Sequence, residues 1–409
     1  MHGTLYLHHL NNQLFVTRFL IILLLLSVSF SCGLLEEDQS VKPYTAPQSL
    51  SISEEKKKEY NAILQHYFDS TLLSPSLGFS GGILVAKGGT ILFEHYQGYE
   101  DYPGRTKPLT SSSSLHIASS TKPFTAIAIL TLVQEKKLAL TDSLSRFFPS
   151  LPYPGLTIRD LLSHRSGLPN YLYFMEEVIK NNNGETTREK QRMVSNQDVL
   201  NTLISARPPA HAAPNTRFEY CNTNYVLLAL LIEKISGMSF PVYMKKYFFD
   251  RLSMHNTFVY QPQDSLRSTP SYQPNGARWS LDYLDQTYGD KNIYSTPQDL
   301  LKWDQALYTD QLIDTSLLQQ AFSGYSFERA GTHNYGLGFR LSLLPNGKKI
   351  VYHFGRWHGN NAAFTRLLNE KVVIIIIGNR FNRSIYSAAH NSYDLFGSYF
   401  KRDAEEEDP

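Results

Sequence analysis

Strand-like segments stand at both ends of this chain, with a helical block between them. Residues 82–86 (GILVA) and 90–96 (TILFEHY) flank the turn Lys87-Gly88-Gly89. Two apolar, β-rich runs around a Gly-rich turn predict a hairpin. Far along the chain, residues 335–344 and 348–354 flank Pro345-Asn346-Gly347, which predicts a second hairpin. Residues 362–368 and 372–377 read as further strands, and 384–399 as helix. The middle reads mostly as helix and loop, with helices at 158–164, 196–205, 224–236 (ended by Gly237) and 241–249. The economical architecture is α/β (α+β): one antiparallel sheet built from both chain termini, flanked by terminal helices, with a mostly helical domain inserted. The α/β part is expected at about 51–140 and 287–400, and the helical part at about 141–286.

Composition narrows the function. The 409 residues are 42% hydrophobic, enough for a large core, so wholesale disorder is excluded. Lys and Arg total 39 against 37 Asp and Glu, a formal charge of +2. That balance gives no reason to expect nucleic acid or another polyanion as partner. Cys32 and Cys221 are the two cysteines, which excludes a disulfide scaffold and a Cys-rich zinc site. The 13 His form no H-E-x-x-H cluster, so neither metal nor cofactor is expected.

The N-terminus reads as an address. Residues 19–31 (FLIILLLLSVSFS) follow Arg18 and carry no charge. The run is short of the roughly 20 apolar residues of a membrane span and fits a secretory signal. Small residues before Cys32 resemble the lipobox of bacterial lipoproteins, with Ser29 where Leu is usual. The resemblance implies lipidation of Cys32, with the acyl chains as membrane anchor; the alternatives are a plain signal peptide, or a signal anchor extended by Leu34 and Leu35. Glu36, Glu37 and Asp38 after it suggest outer-membrane sorting, facing the periplasm or the cell surface. Residues 32–50 are then a polar tether, and 401–409 a charged tail.

Four motifs carry candidate chemistry. Gly78-Phe79-Ser80-Gly81-Gly82 is a literal G-x-S-x-G, but a nucleophile elbow needs a helix after the serine, and here a strand follows. Ser119-Ser120-Thr121-Lys122 opens an apolar helix expected to run from about Ser119 to Gln134. Residues three apart share a helix face, so Lys122 sits beside Ser119 and can help take its proton. Ser53-Glu54-Glu55-Lys56 matches the same S-x-x-K spacing, but in a charged surface helix that a capping box at 51–54 opens and that runs to about Tyr67. Tyr220-Cys221-Asn222 precedes an apolar helix. Its tyrosine could shuttle protons beside a cation, and its asparagine could hold the lysine and a substrate amide. His353-Phe354-Gly355 ends a strand, where an edge and a glycine admit an extended substrate backbone. Each has a plain structural alternative: a Gly-rich entry to an edge strand, a buried helix start, an Asn cap, a strand end.

In order, S-x-x-K, Y-x-N and a basic residue-x-Gly on a late strand resemble the serine β-lactamase and penicillin-binding superfamily, in its class C β-lactamase and D-alanyl-D-alanine carboxypeptidase branch. Residues 115–126 (LHIASSTKPFTA), 157–171 (TIRDLLSHRSGLPNY), 218–237 and 294–303 (YSTPQDLLKW) resemble family segments too, and the likeness covers about 52–400. It implies that Ser119 forms an acyl-enzyme, that Lys122 poises it, and that Tyr220 shuttles the proton. Which of Tyr220 and Lys122 is the base stays open. It implies that Asn222, His353, Phe354 and Gly355 bind substrate, with an oxyanion hole from the backbone N–H groups of Ser119 and Arg356. His164 and Cys221 are read as structural.

The departures concern the late motif, which often carries Lys-Thr-Gly or His-Thr-Gly to bind a substrate carboxylate. His353 can be neutral near pH 7, Phe354 lacks a hydroxyl, and Arg356 could compensate. Asn292 stands where the family has Gly. The expected function is an exported serine hydrolase acting on a small-molecule, peptide or ester substrate. The alternatives are a carboxylesterase without a cell-wall role, or a non-catalytic surface or sensor protein that keeps the fold.

Overall fold

The computed structural model describes residues 43–183 and 193–400. The expected signal segment, Cys32, most of the tether and the charged tail lie outside the described residues. The elements below belong to the unit that starts at Tyr44.

Helix α1 (Glu54–Phe68) leads into the hairpin β1 (Gly81–Lys87) and β2 (Thr90–Gln97). The short strand β3 (Leu115–His116) delivers the chain to α2 (Lys122–Gln134). The middle holds α3 (Ile158–Leu162), α4 (Tyr171–Asn183), α5 (Asn196–Ser205), α6 (Asn222–Ser236) and α7 (Phe240–Met244). Strands β4 (Phe258–Val259) and β5 (Ile293–Ser295) join β3 in a small sheet of order β3-β5-β4. Helices α8 (Pro297–Ala306) and α9 (Thr315–Ala321) precede β6 (His333–Tyr335), β7 (Arg340–Leu343), β8 (Lys349–Trp357), β9 (Asn360–Leu367) and β10 (Val372–Gly378). Helix α10 (Ser384–Asn391) follows.

The expected sheet from both termini is what forms. Its order is β2-β1-β10-β9-β8-β7-β6, and β1 and β10 pair antiparallel from Gly81↔Gly378 to Lys87↔Val372. Side chains alternate across a strand, and β10 shows the consequence. Val373, Ile375 and Ile377 join the core shared with α2 and α6, while Val372, Ile374 and Ile376 join the core under α1 and α10. A strand covered on both faces has no polar side, hence the unbroken apolar run at 372–377.

Helix α6 lies within the helical part, with residues 222–232 buried without interruption. Its C-terminus is capped by Gly237 at φ 71, a left-handed position that suits glycine.

Several boundaries move for identifiable reasons. The cap of α1 is Ser53, whose hydroxyl accepts from the Lys56 N–H, not Ser51. The helix expected from Ser119 begins as a 3-10 turn at Ala118–Thr121 and becomes α-helical at Lys122. The strand expected at 335–344 is two strands, because a Cβ on Gly336 would meet Ala321 O at 1.9 Å and one on Gly338 (φ 87) would meet Ala126 Cβ at 2.2 Å. These glycines press the turn onto α9 and α2. The last helix stops at Asn391 and resumes as a 3-10 turn at Tyr393–Leu395. The end of the tether packs on the domain: Thr45 N–H donates to Gln311 Oε1 (2.8 Å) and Leu50 N–H to Gly88 O (2.7 Å).

Candidate active site

The turn before α2 is clamped on two sides. Ile117 N–H donates to Ile293 O (2.9 Å) on β5, and the Ser120 hydroxyl donates to His353 O (3.0 Å) on β8. His116 fixes the turn from beneath. Burial holds its pKa down to about 4, so the ring is neutral at pH 7. Nδ1 then accepts the Ala118 N–H (3.1 Å), and Nε2–H donates to Asn292 Oδ1 (3.0 Å). Thus Asn292 is a hydrogen-bonding post for the turn, through His116. Ala118 is left-handed (φ 47), a conformation that costs a non-glycine residue about 1–2 kcal/mol. The strained residue directly precedes Ser119, which is only half-buried.

Lys122 is fully buried one turn further on. Its Nζ donates to Ser119 Oγ (3.1 Å), Asn222 Oδ1 (2.8 Å) and Asp290 O (2.9 Å). Three oxygens thus surround the Nζ. The Tyr220 ring lies 4.9 Å from Nζ and the Tyr225 ring 5.6 Å. Asn222 starts α6, so the apolar helix carries the site's amide on its first residue. A second buried lysine stands nearby: Lys291 lies 3.7 Å from Asp290 Oδ2, and burial lowers its pKa against the pull of Asp290 and Asp285.

His164 supports Tyr220. Its ring centroid is 4.3 Å from that of Tyr220, and its Nδ1 accepts the Cys221 N–H (3.1 Å). Burial and the nearby Lys122 push its pKa well down, so it packs as a neutral ring. Cys221 is buried, with its thiol pushed up to about 11 by desolvation, and serves as filler between Tyr220 and Asn222.

Strand β8 supplies the other wall. A Cβ on Gly355 would meet Ile117 O at 2.3 Å and Ser119 N at 2.9 Å, so only glycine lets the strand lie this close to the Ser119 backbone. His353 faces the cleft but is fully buried. Burial first, then the charges of Arg340 and Lys122, hold it neutral. Its Nε2 accepts from the Tyr335 hydroxyl (3.1 Å), and Nδ1–H donates to Phe354 O (2.9 Å). Phe354 points the other way, stacked on Tyr386 (5.3 Å) and tilted against Tyr352 (5.0 Å) in the outer core. The pleat that turns His353 inward turns Phe354 outward. The Arg356 side chain follows Phe354's side of the pleat, exposed and 5.7 Å from the Phe381 ring.

With this arrangement in view, comparison with known proteins is direct. The Beta-lactamase family matches residues 72–395. The chain belongs to that family. It is 33% identical to Penicillin-binding protein 4* of Bacillus subtilis (strain 168) over 328 residues, 76% of this chain and 70% of that protein. It is 27% identical to protein flp of Staphylococcus aureus (strain MW2), over 73% of this chain but 59% of flp. A penicillin binding protein from Bacillus halodurans superposes with TM-score 0.68 at 25% identity, covering 81% of this chain and 99% of that one. D-amino acid amidase from Ochrobactrum anthropi SV3, complexed with L-phenylalanine amide, shares the fold at TM-score 0.63 and 22% identity, covering 82% and 99%. Membership of the Beta-lactamase family makes this a serine hydrolase-like protein.

Among β-lactamase family candidates in this chain, Ser119, Lys122 and Asn222 converge by hydrogen bonds, and Tyr220 and Gly355 pack against them. The side chains of Phe354 and Arg356 do not join them. Ser80 is fully buried and its hydroxyl donates to Asn379 Oδ1 (2.7 Å), a structural role. One residue escaped the sequence reading. Arg340 opens β7, opposite Tyr352, and its guanidinium sits 5.1 Å from the Tyr220 ring centroid. No carboxylate pairs with it among the described residues. It borders a cavity of about 440 Å³ with Arg217, Phe218 and Tyr335. In sequence it is one arginine in a strand, and only strand pairing carries it to Tyr220. Asp282, Asp285 and His358 also cluster, but Asp285 is engaged by Trp357 Nε1 (2.5 Å) and His358 Nε2 (2.9 Å).

Proposed function

We propose that this chain is an exported, lipid-anchored serine hydrolase that opens an amide or ester bond through an acyl-enzyme on Ser119. The observation that carries this is the buried Lys122 Nζ, within reach of both Ser119 Oγ (3.1 Å) and Asn222 Oδ1 (2.8 Å). A hydroxyl is a weak nucleophile until a neighbour takes its proton. Ser119 Oγ attacks the carbonyl carbon, and its proton passes into the Lys122–Tyr220 pair. The oxyanion collects at the N–H groups of Ser119 and Arg356, where each donor contributes about 10²–10³ in rate. Tyr220 returns the proton to the leaving nitrogen or oxygen as the scissile bond breaks. Water then enters by the same route in reverse and releases the acid.

Asn222 keeps its amide N–H groups for the substrate, since its oxygen serves Lys122. The carboxylate-binding role passes from His353, Phe354 and Arg356 to Arg340, whose guanidinium fork suits a carboxylate beside Tyr220. The substrate is thus a small molecule, peptide or ester with a carboxylate on its leaving half. Export and anchoring rest on residues 19–31 and Cys32. Release of a Cys32→Ala protein from membranes supports the anchor, and a native protein that stays soluble refutes it.

The test of the chemistry is intact-mass analysis after a fluorophosphonate. One adduct is expected, on Ser119, and none on Ser119→Ala. An adduct on Ser80, or folded native protein that takes no label, overturns the reading.

A further inference from the structure

Segment 289–293 runs along α2 and is pinned to it at three points. Thr125 Oγ1 donates to Gly289 O (2.7 Å), Lys122 Nζ to Asp290 O (2.9 Å), and the Ile293 N–H to Thr121 Oγ1 (3.2 Å). Asp290 thus offers its backbone carbonyl to Lys122. Its carboxylate goes elsewhere: Oδ2 accepts from the Tyr171 hydroxyl (2.9 Å) and lies 3.7 Å from Lys291 Nζ. Lys291 donates in turn to the Tyr171 oxygen (2.5 Å) and to Thr287 Oγ1, and its Nζ sits 4.6 Å from the Trp357 ring centroid. Asp290 and Lys291 are only 2% and 3% exposed, so neither charge is screened by water.

The oxygens around Lys122 belong to a hydroxyl, an amide and a peptide carbonyl, and none carries a charge. Yet the residue that supplies the carbonyl also owns a buried carboxylate. Without a counter-charge that carboxylate would be drawn to Lys122, because an unpaired buried ion is strongly unfavourable. An anion beside Lys122 favours the charged lysine and opposes ionisation of Tyr220. Whichever of the two takes the Ser119 proton, it would then take it only at higher pH. The other groups facing Lys122 cannot play the part of Lys291. His164, after α3, and His353, on β8, are held neutral by burial, and burial keeps the Tyr225 hydroxyl of α6 protonated. Arg340 stands beyond the Tyr220 ring. Lys291 also feels Asp285 and Asp282, but Asp285 is already engaged by Trp357 Nε1 and His358 Nε2.

We propose that Lys291 is a positioning residue for the Ser119 site: with Tyr171 it holds the Asp290 carboxylate away from Lys122, so that Lys122 meets Ser119 and Asn222 with no anion bonded to it. The kinetic consequence rests on the proposed function, whereas the place of the carboxylate does not.

The full-length chain carrying Lys291→Met tests this, with the double variant Asp290→Asn/Lys291→Met beside it. In a crystal structure of Lys291→Met at pH 7, an Asp290 carboxylate oxygen is expected within hydrogen-bonding distance of Lys122 Nζ. A carboxylate that stays on Tyr171 overturns the proposal. In kinetics, kcat/KM for a short ester rises with pH as the proton acceptor is freed. In Lys291→Met that rise should move up by about 1–3 pH units, the effect of an opposite charge a few ångströms away, and kcat/KM at pH 7 should fall by about tenfold or more. The double variant removes carboxylate and ammonium together, so the rise should return to its native position. A packing defect alone would persist in the double variant and would lower the rate without moving the rise. A rise unmoved in Lys291→Met, or one that the double variant leaves displaced, overturns the positioning role. If Lys291→Met does not fold, Lys291→Gln, which keeps a donor for Tyr171 but no charge, is read in the same way. A native protein that turns over no ester refutes the proposed hydrolase, and the crystal structure then still decides what holds the Asp290 carboxylate.

Discussion

Strands β10 and β8 belong to one sheet, two places apart, and their sequences serve opposite ends. All seven residues of β10 are buried, and both edges are paired, with β1 on one side and β9 on the other. In β8 burial is interrupted, and the ladder on the β7 side ends at Tyr352. What stops β7 is the turn at Gly336–Phe339, pressed onto α2 by Gly338. The same turn sets Arg340 at the break. A strand that closes both ladders can only support, whereas a strand with a broken ladder has backbone to offer a substrate. The contrast predicts four effects, in falling order of size.

The largest effect should come from the site that β8 faces. Lys122→Met keeps the volume and removes the donors, so kcat/KM for a short ester should fall by on the order of 10³, about 4 kcal/mol. Activity within tenfold of native would remove Lys122 from the proton path. Next comes the supporting strand. Ile375→Ala should lower stability by about 2–5 kcal/mol in urea unfolding, while the folded fraction stays labelled by a fluorophosphonate as fast as native. If labelling slows in step with stability, the two strands are not separable in the way their ladders suggest.

The third effect is on pH. Buried, neutral histidines (His116, His164 and His353) cluster around Ser119 and β8, and β10 has none. For His116 the native pKa is about 4 against 6.5 for the free group. Between those values the unfolded chain binds a proton that the native ring refuses. Stability from this group is therefore complete above about 6.5 and falls as pH drops toward 4, by about 3 kcal/mol in all. Unfolding in urea at pH 7.5, 6 and 5 reads the slope, and His116→Gln should reduce it by this group's share, leaving the part due to His164 and His353. Ile375→Ala should shift the curve by the same amount at each pH. A slope unchanged by His116→Gln would mean the ring is already charged in the fold.

How much of this was legible beforehand depends on chain distance. Ser119 and Lys122 lie three residues apart, so helix geometry alone joined them. Tyr220 and Asn222 bracket a helix start for the same reason. The two-ended sheet could be read because apolar runs without a polar face, such as 372–377, need cover on both sides. Arg340 could not be read, because its approach to Tyr220 depends on the register Arg340↔Tyr352 and on where β7 begins. His353, Phe354 and Gly355 form the instructive middle case. Their positions on the late strand were plain, but a three-residue motif on a strand faces two ways, and sequence did not say that the outward member would be claimed by Tyr386.

That middle case yields the smallest expected effect and the sharpest test of which face of β8 meets substrate. Two esters sharing an acyl group, one with a carboxylate on the leaving half and one without, give a preference ratio. Arg340→Gln should lower that ratio by one to two decades, because a charge-assisted hydrogen bond is worth roughly 1.5–3 kcal/mol. Phe354→Thr adds the hydroxyl that the family's late motif often carries, yet the residue packs against Tyr352 and Tyr386, away from Ser119. Its threonine would meet the outer core, so the ratio should move by less than about threefold. The change should appear in stability instead, by roughly 1–3 kcal/mol, since a ring is lost from a packed aromatic group. Arg356→Ala, exposed on the same side of the pleat, should move neither. If Phe354→Thr raises the carboxylate preference tenfold while stability holds, β8 turns at Phe354 when substrate binds, and the open edge is read from both faces.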